Sequence, residues 1–374
     1  MPTFLNDPNF VSETQQRAWG TLITANNSSM ATDSSSWFYG MKGLIDKSVQ
    51  AGQAFSNGIV STYSLVYTAA PSHFGGVLAP NGDIHFIPQS ATRGQKISAA
   101  GVVSTYSLIY TAGNAYQGGV LAPNGDIHFV PYSGTVGQKI SAAGVVSTYS
   151  LVYTGGSYSG AVLAPNGDIH FVPTGAPVGQ KISSAGVVST YSLVYTAGSY
   201  YGGVLAPNGD IHFINFTASV GQKISSAGVV STYSLISTGN NFYTGGVLAP
   251  NGDIHFISYN AGQGQKISAA GVVSTYSLIN APGAGYAGGV LAPNGDIHFV
   301  PFSASVGQKV STAGVVSTYS LVYTTAFAYA GGVLAPNGDI HFILYNAARG
   351  QKISTLPAIP FSSGVCLSPF FNKF

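Results

Sequence analysis

One run of ten residues, Val77-Leu78-Ala79-Pro80-Asn81-Gly82-Asp83-Ile84-His85-Phe86, returns unchanged at intervals of 42 or 43 residues, seven copies in all, the last from Val333 to Phe342. A fixed period of this length confines the chain to folds in which one supersecondary unit packs on the next. The two or three independent domains that 374 residues would otherwise accommodate are thereby excluded for the repeated part. Repetition also argues against catalysis, because an active site combines unlike groups in unlike roles whereas every unit offers the same Asp, His and Lys. The expectation at this stage is a symmetric scaffold that is not an enzyme.

Within a unit, four segments read as strands: Gln95 to Ser98, Val102 to Tyr110, Gly119 to Ala122 and Asp126 to Val130. They are rich in β-branched residues and Tyr, and they lack the 3.6-residue period of helical repeats. Pro123 and Gly125 supply the dihedrals of a tight reversal, so the last two strands form a hairpin. Four short strands in about 43 residues is the size of a propeller blade, and the terminal units keep the apolar words of the middle ones, as a closed ring allows and an open stack does not. The fold class expected is all-β, a seven-bladed β-propeller over residues 52–354, preceded by a helical anchoring segment over 1–51 and followed by an extended arm over 355–374. The copy Gly350 to Ser354 and the degenerate stretch Gly52 to Gly58 suggest that one end of the chain completes a blade begun by the other, hiding two sheet edges.

Charged residues are 6% of the chain and its net charge is +2, against roughly a quarter charged in ordinary soluble proteins. Such a surface opposes association weakly, which points to a larger assembly or an extracellular setting. No basic stripe exists to bind nucleic acid. Uncharged stretches are broken by Gly, Asn and Pro, so insertion into a membrane is not expected. The single cysteine, Cys366, excludes an intrachain disulfide, and the first residues lack the positive start and apolar core of a secretory signal.

The strongest polar pattern is Asp-x-His, at Asp83/His85, Asp126/His128, Asp168/His170, Asp210/His212, Asp253/His255, Asp296/His298 and Asp339/His341. Two residues apart on a strand, the pair shares one face. Carboxylate and imidazole are metal ligands and proton carriers, but a scaffold that must satisfy its buried polar groups reuses one solution in each unit. The pattern is therefore read as a structural network that fixes turn and strand packing, with hydroxyls of Ser104-Thr105-Tyr106-Ser107 and its equivalents as candidate partners, and with no metal and no cofactor expected. The Gly-Gln-Lys triplet, from Lys96 to Lys352, places seven lysines at one level, either attracting an anionic partner or guarding strand edges in solvent.

Sequence freedom concentrates just before each Gly-Gly-Val-Leu, and the aromatic residues there either cover the ends of neighbouring blades or are the candidates for partner binding: Phe74, Tyr116, Tyr158, Tyr200, Tyr201, Phe242, Tyr243, Tyr286, Phe327 and Tyr329. In a propeller these segments emerge on one face, and their Tyr, Ser, Gly and Asn content resembles that of adaptable recognition loops. A second variable stretch after Asp-x-His-Phe, such as Asn215-Phe216-Thr217-Ala218, has a less pointed composition. Outside the repeats, Trp19 and Trp37 lie on apolar stripes of two expected helices, and Phe370, Phe371 and Phe374 end the tail. These five residues are the expected anchors to an assembly.

Val120 to Pro131 fits the Val-Leu-Ala-Pro-Asn-Gly-x-Ile-x-Phe-x-Pro motif, and the repeats resemble a group of uncharacterised repeat proteins found in phages and some microbes. The ending Leu367-Ser368-Pro369-Phe370-Phe371-Asn372-Lys373-Phe374 is similar to the close of some tailed-phage structural proteins. The resemblance implies a propeller but no established activity. Together with the composition and the ending it leads to the expectation of a structural or adhesive part of a virion, contacting other virion proteins through its ends and a host surface glycan or protein through its loops. The alternative is a secreted or cell-surface, lectin-like propeller.

Overall fold

The computed structural model describes residues 58–281 and 283–355. They form seven four-stranded antiparallel sheets, twenty-eight strands in all. β1 (Ile59–Tyr63) stands apart from the regular succession, and the first complete sheet holds β2 (His73–Leu78), β3 (Ile84–Pro88), β4 (Arg93–Ile97) and β5 (Val103–Ser107) in that order. The same meander recurs from β6 (Tyr116–Leu121) through β25 (Val316–Ser320). The last sheet takes β26 (Tyr329–Leu334), β27 (Asp339–Leu344) and β28 (Gly350–Ser354) from the end of the repeats and β1 from their beginning. The chain is a seven-bladed β-propeller.

Closure is made by main-chain pairing of β1 with β28, from Ile59 opposite Ser354 to Tyr63 opposite Gly350. The donated strand is the copy of the Val-Ser-Thr-Tyr segment. Residues 52–57, where an eighth copy of the preceding strand was expected, lie outside the described residues, as do Trp19, Trp37, Phe370, Phe371, Phe374 and both terminal segments.

Burial follows from the stacking of blades. The second strand of each blade, Ile84 to Pro88 in the first, is buried at every position, because both of its faces meet neighbours. Alternate residues serve opposite interfaces: Val77 and Ile87 of the first blade pack on Tyr116, Ile127, Phe129 and Ile140 of the second. At the axis the inner strands approach so closely that a Cβ on Gly118, whose φ is +76°, would lie 3.0 Å from the Cα of Gly160. The first glycine of each Gly-Gly pair is thus where adjacent blades touch.

The two ends of the ring differ. One carries the Ala-Pro-Asn-Gly-Asp hairpins, closed by bonds such as Ala79 N–H to the Asp83 carbonyl at 2.8 Å. The other carries both variable segments, and they are stitched together: the Ser72 carbonyl accepts the N–H groups of Gln89, Ser90 and Ala91 at 2.9 to 3.1 Å.

Candidate functional site

The recurring polar residues build the scaffold. Lys96 donates to Asp83 at 2.7 Å, and the equivalent pair forms in every blade, through Lys139–Asp126, Lys181–Asp168, Lys223–Asp210, Lys266–Asp253, Lys309–Asp296 and Lys352–Asp339. The other Asp83 oxygen accepts the Ala99 N–H at 3.2 Å, while the Asp83 N–H donates to Asn81 Oδ1. Burial opposes ionisation of Asp83, but Lys96 and the Ala99 N–H outweigh it and hold the carboxyl below its usual range. The lysines are neither a free cationic ring nor solvated guards of strand edges, the two roles expected for them. They close the hairpin onto the third strand.

The other half of the Asp-x-His pattern has its own partner. His128 Nδ1 lies 3.2 Å from the Tyr149 hydroxyl, and the same contact joins His85 to Tyr106, His212 to Tyr233, His255 to Tyr276, His298 to Tyr319 and His341 to Tyr63. In the third blade the rings of His170 and Tyr191 still meet at 5.4 Å, but their polar atoms do not bond. The glycine of Gly-Gln-Lys makes room for this contact, since a Cβ on Gly94 would sit 2.1 Å from the Tyr106 ring. The glutamine faces the preceding blade, where Gln138 Oε1 accepts the Ile109 and Tyr110 N–H groups at 3.0 and 2.8 Å. Burial, and secondarily the Lys139 ammonium, push the His128 imidazole down to about 4, with Asp126 acting the other way. The imidazoles are therefore neutral at pH 7.

Most of the expected binding aromatics are core residues. Tyr116, Tyr158, Tyr200, Tyr243, Tyr286 and Tyr329 have no exposed surface. Each begins an inner strand, and a bulge before Gly-Gly turns its ring inward, as between Tyr116 and Gly119. The Tyr116 ring meets Phe129 edge-on at 5.5 Å, and its hydroxyl donates to the Val136 carbonyl at 3.0 Å. The equivalent hydroxyls reach the carbonyls of Val178, Val220, Gln263, Val306 and Arg349. These six are removed from the candidate site. Phe242 is half-buried against the fifth blade's core, so of the expected set Phe74, Tyr201 and Phe327 remain on the loop face. Phe327 is 44% exposed.

They are joined there by rings that sequence reasoning passed over, from the second variable stretch. Tyr201 and Phe216 lie 4.3 Å apart, Phe216 and Tyr259 6.0 Å, Tyr259 and Phe302 5.7 Å, Phe302 and Tyr345 5.4 Å, and Tyr345 and Phe74 6.2 Å. Phe327 adds a seventh ring, 5.1 Å from Phe302. The result is a continuous aromatic arc from the fourth blade round to the first. It forms because the residue after the second strand packs on neighbouring inner strands, as Phe302 does on Ala287 and Ala330. The equivalent positions are Gln89 and Thr174 in the first and third blades, so the arc breaks the ring's symmetry. The available signal was a large aromatic recurring at one register position, in Tyr132, Phe216, Tyr259, Phe302 and Tyr345.

No family model matches the sequence, and no curated protein sequence matches it. Solved structures do share the fold. A streptogramin B lyase superposes with a TM-score of 0.71 at 18% identity, over 80% of this chain and 99% of the other. A catalytically inactive histidine-to-alanine variant of virginiamycin B lyase from Staphylococcus aureus, with quinupristin, gives a TM-score of 0.69 at 16% identity, over 80% of this chain and 99% of the other. The WD40 β-propeller domain of Doa1 gives 0.63 at 14%, over 80% and 98%. At these identities the likeness establishes the fold alone. It also corrects the expectation that the chain is not an enzyme, since propellers of this shape include lyases. Repetition of the scaffold places no limit on what an irregular loop face does.

Proposed function

We propose that this propeller is an adhesive or structural component of a virus particle, held there by the segments flanking the ring and presenting its loop face to a host surface or a neighbouring protein. One observation carries the recognition part of this reading: the Lys–Asp pair of the hairpin side recurs in all seven blades, whereas the loop face departs from symmetry and gathers seven aromatic rings. Aromatic surface of limited flexibility, set among amides and hydroxyls, suits recognition of sugars and proteins. The particle setting is supported by the resemblance of the repeats and of the Phe-rich ending to phage proteins, and by the scarcity of charge. Purified particles from the source provide the test: stoichiometric recovery of the chain with capsid or tail proteins is expected, and its presence only as a free monomer overturns the particle assignment.

The same arc favours a second reading, a glycan-binding propeller that works independently of any particle. Saturable binding of the isolated chain to immobilised glycans, together with its absence from particles, selects that reading. Incubation with quinupristin, the ligand of the structurally similar lyase, belongs in the same series. Chemical conversion of it replaces both readings with a catalytic one.

A further inference from the structure

The loop face contains one polar atom whose usual partner has been deleted by the sequence. In three successions of blades a short polar side chain in the second variable stretch accepts the N–H of a residue in the next blade's first variable segment: Ser90 Oγ from Asn114, Asn260 Oδ1 from Ala284, and Ser303 Oγ from Phe327. Asn114, Ala284 and Phe327 all have positive φ, near +55°. In the step from the seventh blade to the first, the acceptor is Asn346 and the residue aligned with Asn114 is Pro71. Proline has no N–H to give. Asn346 Oδ1 is buried and has no hydrogen-bond partner among the described residues.

Asn346 lines a cleft of about 330 Å³ together with Pro71, Tyr259, Phe302, Phe327 and Tyr345, its oxygen lying just beneath the wall. The volume is at the small end for ligand sites, the size for one ring and its substituents rather than an extended chain. Flat aromatic walls attract the slightly positive C–H groups of a saturated ring. The unpartnered polar atoms elsewhere along this face, Gln89 Oε1, Gln117 Oε1 and Asn215 Oδ1, are also acceptors. A ligand suited to such a surface brings hydroxyl donors and an apolar ring face. Every described Asp is already paired with a lysine, so no carboxylate there calls for a cationic ligand.

We propose that the cleft formed by the fifth, sixth, seventh and first blades binds a single pyranose ring, stacked on its aromatic walls and donating a hydroxyl to Asn346 Oδ1. The proposal rests on the recognition reading above and names its ligand class and subsite. It makes Pro71 a specificity residue: an N–H at position 71 would occupy Asn346 and compete with the sugar.

Saturation-transfer NMR on the full chain with a panel of methyl pyranosides tests this. At least one glycoside is expected to give saturable transfer concentrated on ring C–H protons. Asn346→Ala and Pro71→Ala are each expected to weaken it about tenfold, the equivalent of one neutral hydrogen bond, with the thermal midpoint retained. Absence of transfer from every pyranoside overturns the sugar assignment, while recovery of the chain in particles would leave the broader adhesive reading standing. Transfer that both variants leave unchanged overturns the cleft as the site. Should either variant unfold, Phe327→Asn keeps the test open, since it removes an exposed wall ring at a position of positive φ that Asn tolerates. Weakened transfer is expected, and unchanged transfer overturns the cleft as the site.

Discussion

The hairpin face and the loop face are made by the same seven repeats, yet one is a set of copies and the other is not. On the hairpin side the Lys–Asp contacts differ by only a few tenths of an ångström around the ring. On the loop side the residue after the second strand runs through Gln89, Tyr132, Thr174, Phe216, Tyr259, Phe302 and Tyr345. Contacts that close each hairpin and join each blade to the next must be satisfied seven times, because an unpaired buried group costs stability wherever it occurs. Loop residues that only rim the ring are not bound by that requirement, so asymmetry collects there.

Acid should break the symmetric side most severely. Burial holds seven imidazoles at about 4 and His73 at about 3, below the 6.5 of an unfolded histidine. Between these values the unfolded chain binds protons that the folded ring refuses, so stability is full above pH 6.5 and falls as pH drops toward 4. Each site contributes up to roughly 3 kcal/mol, and eight together should unfold the ring before pH 4 is reached. Denaturant midpoints measured from pH 8 to pH 4 should decline steeply below 6.5, and a flat profile would contradict neutral buried imidazoles.

A single methyl group placed in the repeated contact should have the next largest effect. In Gly221→Ala the new Cβ would lie 2.2 Å from the Tyr233 ring, forcing that ring away from His212. A loss of about 1 to 3 kcal/mol is expected from overpacking and the broken hydrogen bond, measured by urea unfolding. Equal stability of variant and parent would mean that the Tyr–His contact is dispensable.

The first blade offers a test in the stabilising direction. His73 stands where the other six inner strands begin with Tyr, and its ring makes no well-formed hydrogen bond among the described residues, only a weak backbone contact to Arg93. His73→Tyr would supply a hydroxyl to the Arg93 carbonyl, as Tyr116 does to Val136. A gain of about 1 kcal/mol, seen as a rise of roughly 2 °C or more in Tm, is expected. A lower Tm would mean that this blade has its own packing requirement.

The smallest effect belongs to the two arginines of the loop side. Arg93 and Arg349 are exposed, lie on adjacent blades, and are the only charged residues among those described outside the Lys–Asp pairs. Replacing both with alanine should leave stability within about 0.5 kcal/mol and weaken acidic glycans relative to neutral ones by a few-fold, an effect that fades in high salt. The ratio of the two affinities, measured at two ionic strengths, checks this.

Local order was legible in the residues. The Pro-Asn-Gly reversal, the four short strands and the 42- or 43-residue period together specify a blade and the number of blades, because turn dihedrals and strand alternation depend on near neighbours. The assignment of the Asp-x-His pattern to a polar network with hydroxyls of the Ser104-Thr105-Tyr106-Ser107 segment also came from local reasoning, and Tyr106 is the partner of His85, but the lysine that pairs with Asp83 was not anticipated. Asp83 and His85 share a strand face, yet one goes to Lys96 and the other to Tyr106, a division set by antiparallel register.

What only the tertiary structure decided depends on distance around the ring. Tyr116 and Tyr345 look alike in sequence, but the bulge before Gly118 and Gly119 buries the first ring under its own blade, while the second meets Phe302 from the blade before. Pro71 and Asn346 are separated by nearly the whole repeat array and become neighbours only because β1 closes the last blade. The sequence alone determined the unit and its count, since those follow from short-range sterics. Closure decided which loop residues share a surface, since proximity across it is a property of the ring.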